Sequence, residues 1–413
     1  MESEDPTRDQ AGNSNEIPMS ADGADSAHEP GFAAVLRYFL RLGTLGFGGP
    51  IAVVGYMQRD LVEKRGWIAK QDFLDGVALG QTMPGPLAAQ VAMWVGYLKR
   101  GTLGAAATAL AFIAPSFLMV TGVAAVYAHY AGLSAVQSLF YGIAPAVMAI
   151  IAIAAYKLVK LTDGKDWRAW AISAVVFVVT AVTGKEPIYL IVGAGVLMVL
   201  LDARPRIRLP RRKTSLPDTG TTLRGITVWP LAATSLGTLT SGGTLASLGL
   251  FFLKTGALVF GSGLAIVPLL RDGVVVQHHW LTEAQFLDAV AMGLITPGPV
   301  VITAAFIGYL VGGPVGALIA TLAIFIPIYL GVVVPGRWFV RHRDNRQVKA
   351  FVTGATAAAG GALCGAVVVL TRQAVIDVPT AAIALATLAL LWRFKIPEPY
   401  VVVAAGALGL LLA

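Results

Sequence analysis

From residue 31 onward the chain is a succession of long apolar runs divided by short polar loops. Eight runs, 102–128, 132–160, 168–184, 187–202, 313–335, 347–371, 379–393 and 398–413, have the order of length that carries a helix across a bilayer, 379–393 being the short one. Two further regions in each half are different. Residues 70–83 and 86–99 are too short to cross, have basic residues at their outer ends and meet at Pro84-Gly85-Pro86. This pattern predicts a re-entrant helical hairpin whose tip lies inside the membrane. Residues 32–45 and 50–63, joined at Gly46-Phe47-Gly48-Gly49, predict another, with Arg37 and Arg41 before the break and Arg59, Lys64 and Arg65 after it. The fold class is an all-α polytopic membrane protein with re-entrant, broken hairpins.

The chain also repeats itself. Residues 39–87 match 252–300 without a gap at 19 of 49 positions, where composition alone gives about four. The identities include Phe39/Phe252, Gly43/Gly256, Gly48/Gly261, Trp67/Trp280, Asp75/Asp288 and the whole of Pro84-Gly85-Pro86/Pro297-Gly298-Pro299. After one deletion the register holds to the end through Pro115/Pro327, Gly142/Gly354 and Glu186-Pro187/Glu398-Pro399. Two homologous halves follow, 31–202 and 244–413, of the kind that build secondary transporters. Between them lie a basic polar linker, 203–224, and an uncharged stretch, 225–243.

Loop charges give the relation between the halves. Lys99-Arg100 corresponds to the neutral Val311-Gly312, and Lys157, Lys160, Lys165 and Arg168 correspond to a loop holding only Arg372. In the other direction, the neutral loop Ala128–Ser134 corresponds to Arg337, Arg341, Arg343, Arg346 and Lys349. The bias alternates in sign, so the positive-inside rule predicts inverted halves. Each half makes four crossings, so inversion needs one more, which the uncharged run between Gly225 and Lys254 can supply. The N-terminus and the linker are then expected in the cytoplasm and the C-terminus outside a cell (inner) membrane.

Composition agrees with this and narrows the chemistry. Hydrophobic residues make up 56% and charged residues 13%, against roughly 45–50% and about 25% in soluble domains, which excludes a soluble enzyme. Residues 1–30 hold eight acids and one base and read as a disordered cytosolic tail. The remaining chain has 30 Lys+Arg against 15 Asp+Glu, placed in loops between apolar runs, which points to a membrane partner and not to nucleic acid. The lone Cys364 sits in a Gly/Ala-rich run as a packing residue. No histidine has zinc spacing and no nucleotide-binding or serine-nucleophile motif occurs, so no metal, cofactor or enzymatic activity is expected.

Broken backbone at membrane depth is tolerated only where it lines a protein-enclosed cavity. Pro86 and Pro299 open the outgoing hairpin arms, so the first amides after them, on residues such as Leu87, Ala88, Val300 and Val301, should face the midplane at the positive end of the helix dipole. Gly49-Pro50 after Gly48, and Gly261-Ser262-Gly263, would present two more helix starts. Converging helix N-termini make an anion site, to which Pro84, Gly85, Pro297 and Gly298 belong as the tips. Gln81, Thr82, Gln90, Thr296 and Thr303 offer neutral donors nearby, unless they serve the helices themselves. Arg41 and Lys254, paired by the repeat, are either intramembrane cations of the substrate site or helix-end anchors. Asp75 and Asp288, also paired, either carry a coupling proton or brace the hairpins. Trp67 and Trp280 read as interfacial anchors.

The runs Phe39-Leu40-Arg41-Leu42-Gly43 through Phe47-Gly48-Gly49-Pro50, then Asp75 and Gln81-Thr82-Met83-Pro84-Gly85-Pro86 with their second-half echoes, resemble the chromate ion transporter family. The resemblance spans nearly all of 32–413. It implies a two-domain, thirteen-segment inner-membrane protein that expels chromate, with sulfate as a related oxyanion. The second half departs at Ser262-Gly263 and at Leu294-Ile295-Thr296, which weakens the case for equal roles. Membrane potential would drive a dianion outward unaided; proton- or anion-coupled exchange and an oxyanion channel are the alternatives. A homodimer is one candidate assembly.

Overall fold

The computed structural model describes residues 31–47, 49–130, 132–184, 188–202, 243–260, 263–336, 345–394 and 396–412. The regular structure among them is helical. The first half contains α1 (Phe32–Leu45), α2 (Gly49–Met57, continuing as a π-helical turn over Gln58–Lys64), α3 (Lys70–Thr82), α4 (Leu87–Tyr130), α5 (Ser134–Asp163), α6 (Trp167–Thr183) and α7 (Ile188–Asp202). The second contains α8 (Thr244–Ala257), α9 (Ile266–Arg271, between a 3-10 turn Gly263–Ala265 and a π-helical turn Asp272–Gln277), α10 (Glu283–Ile295), α11 (Thr303–Val333, entered through a 3-10 turn Val300–Ile302), α12 (Arg346–Ala374), α13 (Val378–Arg393) and α14 (Glu398–Leu412). Helices α4, α5, α11 with its entry turn, and α12 are long and apolar enough to cross a membrane.

The predicted hairpins are present, and their ends have local causes. Proline disfavours helical backbone in the residue before it. Met83 and Thr296 accordingly leave α3 and α10 in extended conformation (φ −97°, ψ 148° and φ −76°, ψ 135°). The outgoing arm of each hairpin then turns a corner into a long crossing. In the first half the corner is Arg100 (φ −144°, ψ 28°) and Gly101 (φ 60°, ψ −146°), and in the second it is Gly312 (φ −145°, ψ 25°) and Gly313 (φ 61°, ψ −154°). The positive φ requires the glycine at the second position of each. One corner carries Lys99 and Arg100 and the other Val311 and Gly312, so the same backbone turn is basic in one half and uncharged in the other.

The one-residue deletion in the repeat also has a structural reason. The first-half arm starts directly as α-helix at Leu87, whereas the second starts with the 3-10 turn Val300–Ile302. A 3-10 turn rises about 2.0 Å per residue against about 1.5 Å for an α-helix, so three residues span what four span in the first half.

The repeats are entwined. Helix α4 packs on α11 across the centre, with α1 on α4 and α8 on α11. Outside this layer α12 of the second half lies against α6 and α7 of the first, while α5 of the first lies against α13 and α14 of the second. Each half thus lends its last two helices to the other half's long helix. Glycine permits the approach: a Cβ on Gly142 of α5 would lie 2.0 Å from the Ala405 carbonyl oxygen, and one on Gly354 of α12 would lie 2.3 Å from that of Ala194. Repeat-equivalent aromatics fill the core, with Phe39, Phe73, Phe252 and Phe286 fully buried.

One expectation changes. Thr244–Lys254, counted toward a crossing between the halves, belongs to α8, the repeat counterpart of α1, because it packs on α11 as α1 packs on α4. A connecting crossing would have to lie in 203–243, of which all but Gly243 falls outside the described residues, as does the acidic tail 1–30. Trp67 and Trp280 are half-buried, stacked against Arg65 (4.5 Å to the ring centroid) and His278 (4.2 Å between ring centroids).

The matched corners generate a test of inversion. Leu103 and Val315 are equivalent exposed positions beside them. On a Cys364→Ala background, cysteines there are expected to react with an impermeant thiol reagent from opposite faces of the membrane; labelling of both from the same face would refute inverted halves.

Candidate functional site

The two Pro-Gly-Pro tips are held by the opposite half. The Gly85 amide donates to the Val259 carbonyl at 2.6 Å, and the Gly298 amide makes the reciprocal, longer contact to the Gly46 carbonyl at 3.4 Å. Val259 follows α8 and Gly46 follows α1, so each hairpin tip docks on the other half's broken helix. Both tip glycines have positive φ, 141° at Gly85 and 107° at Gly298. A Cβ on Gly85 would lie 2.8 Å from Ile328 Cγ2, and one on Gly298 would lie 2.1 Å from Ser116 Oγ. Positions 116 and 328 are themselves repeat equivalents, each following the proline of the Pro115/Pro327 pair. Ser116 does more than pack, because its buried hydroxyl donates to the Pro297 carbonyl at 2.7 Å. Sequence reading passed over Ser116; its place after a repeated proline was the available signal.

Three element starts meet beside these tips. A Cβ on Gly263, where the 3-10 turn before α9 begins, would lie 3.8 Å from each of Pro86 Cβ, Val300 Cβ and Val301 Cγ2. In α4 the first helical bond is from the Gln90 amide to the Pro86 carbonyl (3.1 Å), and in the second half from the Ile302 amide to the Pro299 carbonyl (2.9 Å). The amides of Leu87, Ala88 and Ala89, and of Val300 and Val301, precede those bonds and have no intrahelical acceptor. They carry the positive ends of α4 and of the α11 entry turn. Pro86, Ala88, Gly263, Pro299 and Val301 are buried, so these donors are grouped in the interior, between the halves.

The neutral side-chain donors are spent. Thr82 Oγ1 donates to the Ala78 carbonyl (2.5 Å), Thr296 Oγ1 to that of Met292 (2.7 Å) and Thr303 Oγ1 to that of Val300 (2.8 Å). Gln90 is 1% exposed and its Nε2 donates to the Pro84 and Met83 carbonyls at 2.9 and 3.2 Å. Its Oε1 is buried without a partner among the described residues. Gln81 is exposed. Thr82, Thr296, Thr303 and Gln90 therefore bond the backbone of the hairpins themselves, because a hydroxyl or amide near a helix end readily finds a neighbouring backbone carbonyl.

The paired charges separate into two kinds. Arg41 and Lys254 are exposed, off the faces of α1 and α8 that pack on α4 and α11, and have no hydrogen bond or ion pair with a described residue. Asp75 and Asp288 are buried, 7% and 8% exposed. Asp75 accepts from Gln71 Nε2 of its own helix at 3.0 Å, whereas Asp288 accepts from the Tyr127 hydroxyl of the other half at 2.6 Å. Gly48, Gly261, Ser262 and the side chain of Pro50 lie outside the described residues; Gly49 opens α2 with φ 76° and free space around it. The described residues contain no cluster of metal-ligating side chains.

Sequence reading also missed a bracing arginine. Arg271 is 9% exposed, pairs with Glu283 at the start of α10 and donates to the Gly184 carbonyl at 3.0 Å, tying α9 and α10 to the end of α6. A guanidinium at a helix C-terminus also meets the negative end of its dipole. The first-half equivalents are Gln58 and Lys70, so the repeat conceals this pair.

A family model described as "Chromate transporter" matches residues 33–199 and again 246–410. A chromate transport protein of Cupriavidus metallidurans is 47% identical over 382 residues, covering 91% of this chain and 92% of the relative. A probable chromate transport protein of Synechococcus elongatus is 47% identical over 377 residues, covering 91% and 94%. A chromate transport protein of Pseudomonas aeruginosa is 29% identical over 387 residues, covering 91% of each. No solved structure matches the chain.

The tip geometry makes a defined prediction. A non-glycine residue held at such φ costs about 1–3 kcal/mol, and here the added Cβ also meets Ile328 or Ser116. Gly85→Ala and Gly298→Ala should each lower oxyanion flux about tenfold or more with the protein still inserted in the membrane. Undiminished flux in both would show that the tips do not need glycine.

Proposed function

The chain belongs to the chromate transporter family, and from that premise we propose that it exports chromate from the cytoplasm, so conferring chromate resistance, with the membrane potential as driving force. The observation that carries this reading is the meeting of the α4 start, the α11 entry turn and the α9 entry turn at one buried point between the two halves. Backbone amides with no intrahelical acceptor, aligned with helix dipoles, are donors for a tetrahedral oxyanion and require no cationic side chain. Pro86 and Pro299 fix the entry into both arms, and the reciprocal tip contacts hold the donors in place before the anion arrives.

Arg41 and Lys254 then act at a distance. Exposed and unpaired with described residues, they raise the local concentration of anions at the protein's flanks, an effect that salt screens within about 10 Å at 0.1 M. Chromate in mildly alkaline water is a dianion. An interior-negative potential favours its exit by about 2.3 kcal/mol per charge per 100 mV, about 4.6 kcal/mol in all. Backbone amides read charge and shape, so sulfate enters the same site. The placement follows from the loop charges: an inner-membrane protein with its N-terminus and linker 203–224 cytoplasmic and its C-terminus outside. A proton-coupled cycle is the second reading, favoured by the burial of Asp288.

Everted membrane vesicles test the proposal. Chromate should accumulate in them when the lumen is made positive, fall toward background when an ionophore collapses the potential, and be displaced by excess sulfate. Uptake indifferent to the potential would exclude it as the driving force, and absence of uptake would exclude export.

A further inference from the structure

A hydrogen bond from the Tyr127 hydroxyl to Asp288 joins the two halves away from the hairpin tips. Tyr127 lies near the far end of α4 in the first half and Asp288 in the incoming arm of the second hairpin, and they meet at 2.6 Å with both side chains buried. Tyr127 is enclosed by the rings of Phe140 of α5 and Phe306 of α11, at centroid distances of 5.4 and 5.2 Å. Helices α5, α9, α11, α12 and α14 pack on α10. Of the titratable or charged groups that they and α4 carry, Tyr127 is the one in electrostatic contact with Asp288 among the described residues. Among the described residues no cation pairs with this carboxylate, and its side-chain partner is the Tyr127 hydroxyl. The repeat equivalent of Tyr127 is Phe339, which carries no hydroxyl.

We propose that Tyr127 and Asp288 form a proton-binding site that latches the second hairpin to α4 and releases it when Asp288 takes up a proton. The inference deepens the export reading: with the topology proposed above, Tyr127 is at the outer end of α4, so the latch stands between the tips and the outside. Ionised, Asp288 accepts a charge-assisted bond across the halves and repels a departing dianion. A proton from the outer aqueous phase adds to the carboxylate, while Tyr127 keeps its own. The bond weakens to an ordinary neutral one and the repulsion disappears. Asp288 is the proton acceptor and Tyr127 the positioning residue. Asp75 has no part in it.

The test uses the full chain in liposomes at a fixed imposed potential, with sulfate as the probe because its charge does not change from mildly alkaline to mildly acidic pH. Flux through the unaltered chain should rise as pH falls. Asp288→Asn should lose the pH dependence. Tyr127→Phe should keep it but move the profile upward by about one to two pH units, since the carboxylate loses the donor that stabilises its charged form. Asp75→Asn should leave the profile where it is. A flat profile in the unaltered chain, or Tyr127→Phe lowering flux by one factor at every pH, would overturn the proton site. Infrared titration without substrate separates this from the transport reading: a protonated-carboxyl band should grow as pH falls, vanish in Asp288→Asn and move its midpoint upward in Tyr127→Phe. Absence of flux with that band intact would sink the export reading alone, whereas a band unaltered in Asp288→Asn would sink the latch.

Discussion

A helix broken inside hydrocarbon leaves amides and carbonyls that no water can meet, and each must find a partner within the protein. Here the partners are exchanged between repeats. The Gly85 amide is satisfied by the carbonyl of Val259, where the second half's first helix breaks off, and the Gly298 amide faces that of Gly46 at the equivalent place in the first. A duplicated Pro-Gly-Pro and a duplicated glycine break therefore belong together, each tip needing the other half's break. The same constraint accounts for the entwining, because halves that satisfy each other's backbone at the centre cannot be packed as separate bodies.

What remains after this exchange is the chemistry. Carbonyls at the tips are taken up by Gln90 and Ser116, and the threonine hydroxyls turn back on their own helices. The groups left over are donors, the amides that open α4 and the α11 entry turn. An interior that has used its acceptors and kept its donors suits an anion. Among the described side chains at the tips, Gln90 Oε1 is a buried acceptor without a partner.

Helix boundaries and hairpins could be read from the chain because their causes are local: run length, proline stiffness, and glycine at the corners and tips. With the corners at Arg100-Gly101 and Gly312-Gly313 counted as boundaries, predicted crossings and observed helices agree within three residues at each end. The partners in space were hidden, since nothing near Tyr127 in sequence announces Asp288 and nothing near Gly46 announces Gly298. The repeat equates Arg41 with Lys254, and both lie on exposed helix faces. It hid the differences that make the halves unequal: Ser116 against Ile328, Tyr127 against Phe339, and Arg271–Glu283 against Gln58 and Lys70. In each case the repeat keeps the position and changes the side chain.

The backbone origin of the anion site is open to direct observation with selenate, a tetrahedral dianion whose heavy atom locates itself by anomalous scattering. In a structure of the full chain with selenate bound, the scatterer should lie within hydrogen-bonding reach of the amides of Leu87 and Ala88 and of Val300 and Val301. A scatterer seated on the Arg41 or Lys254 side chain, away from the hairpin tips, would contradict a site built from helix starts.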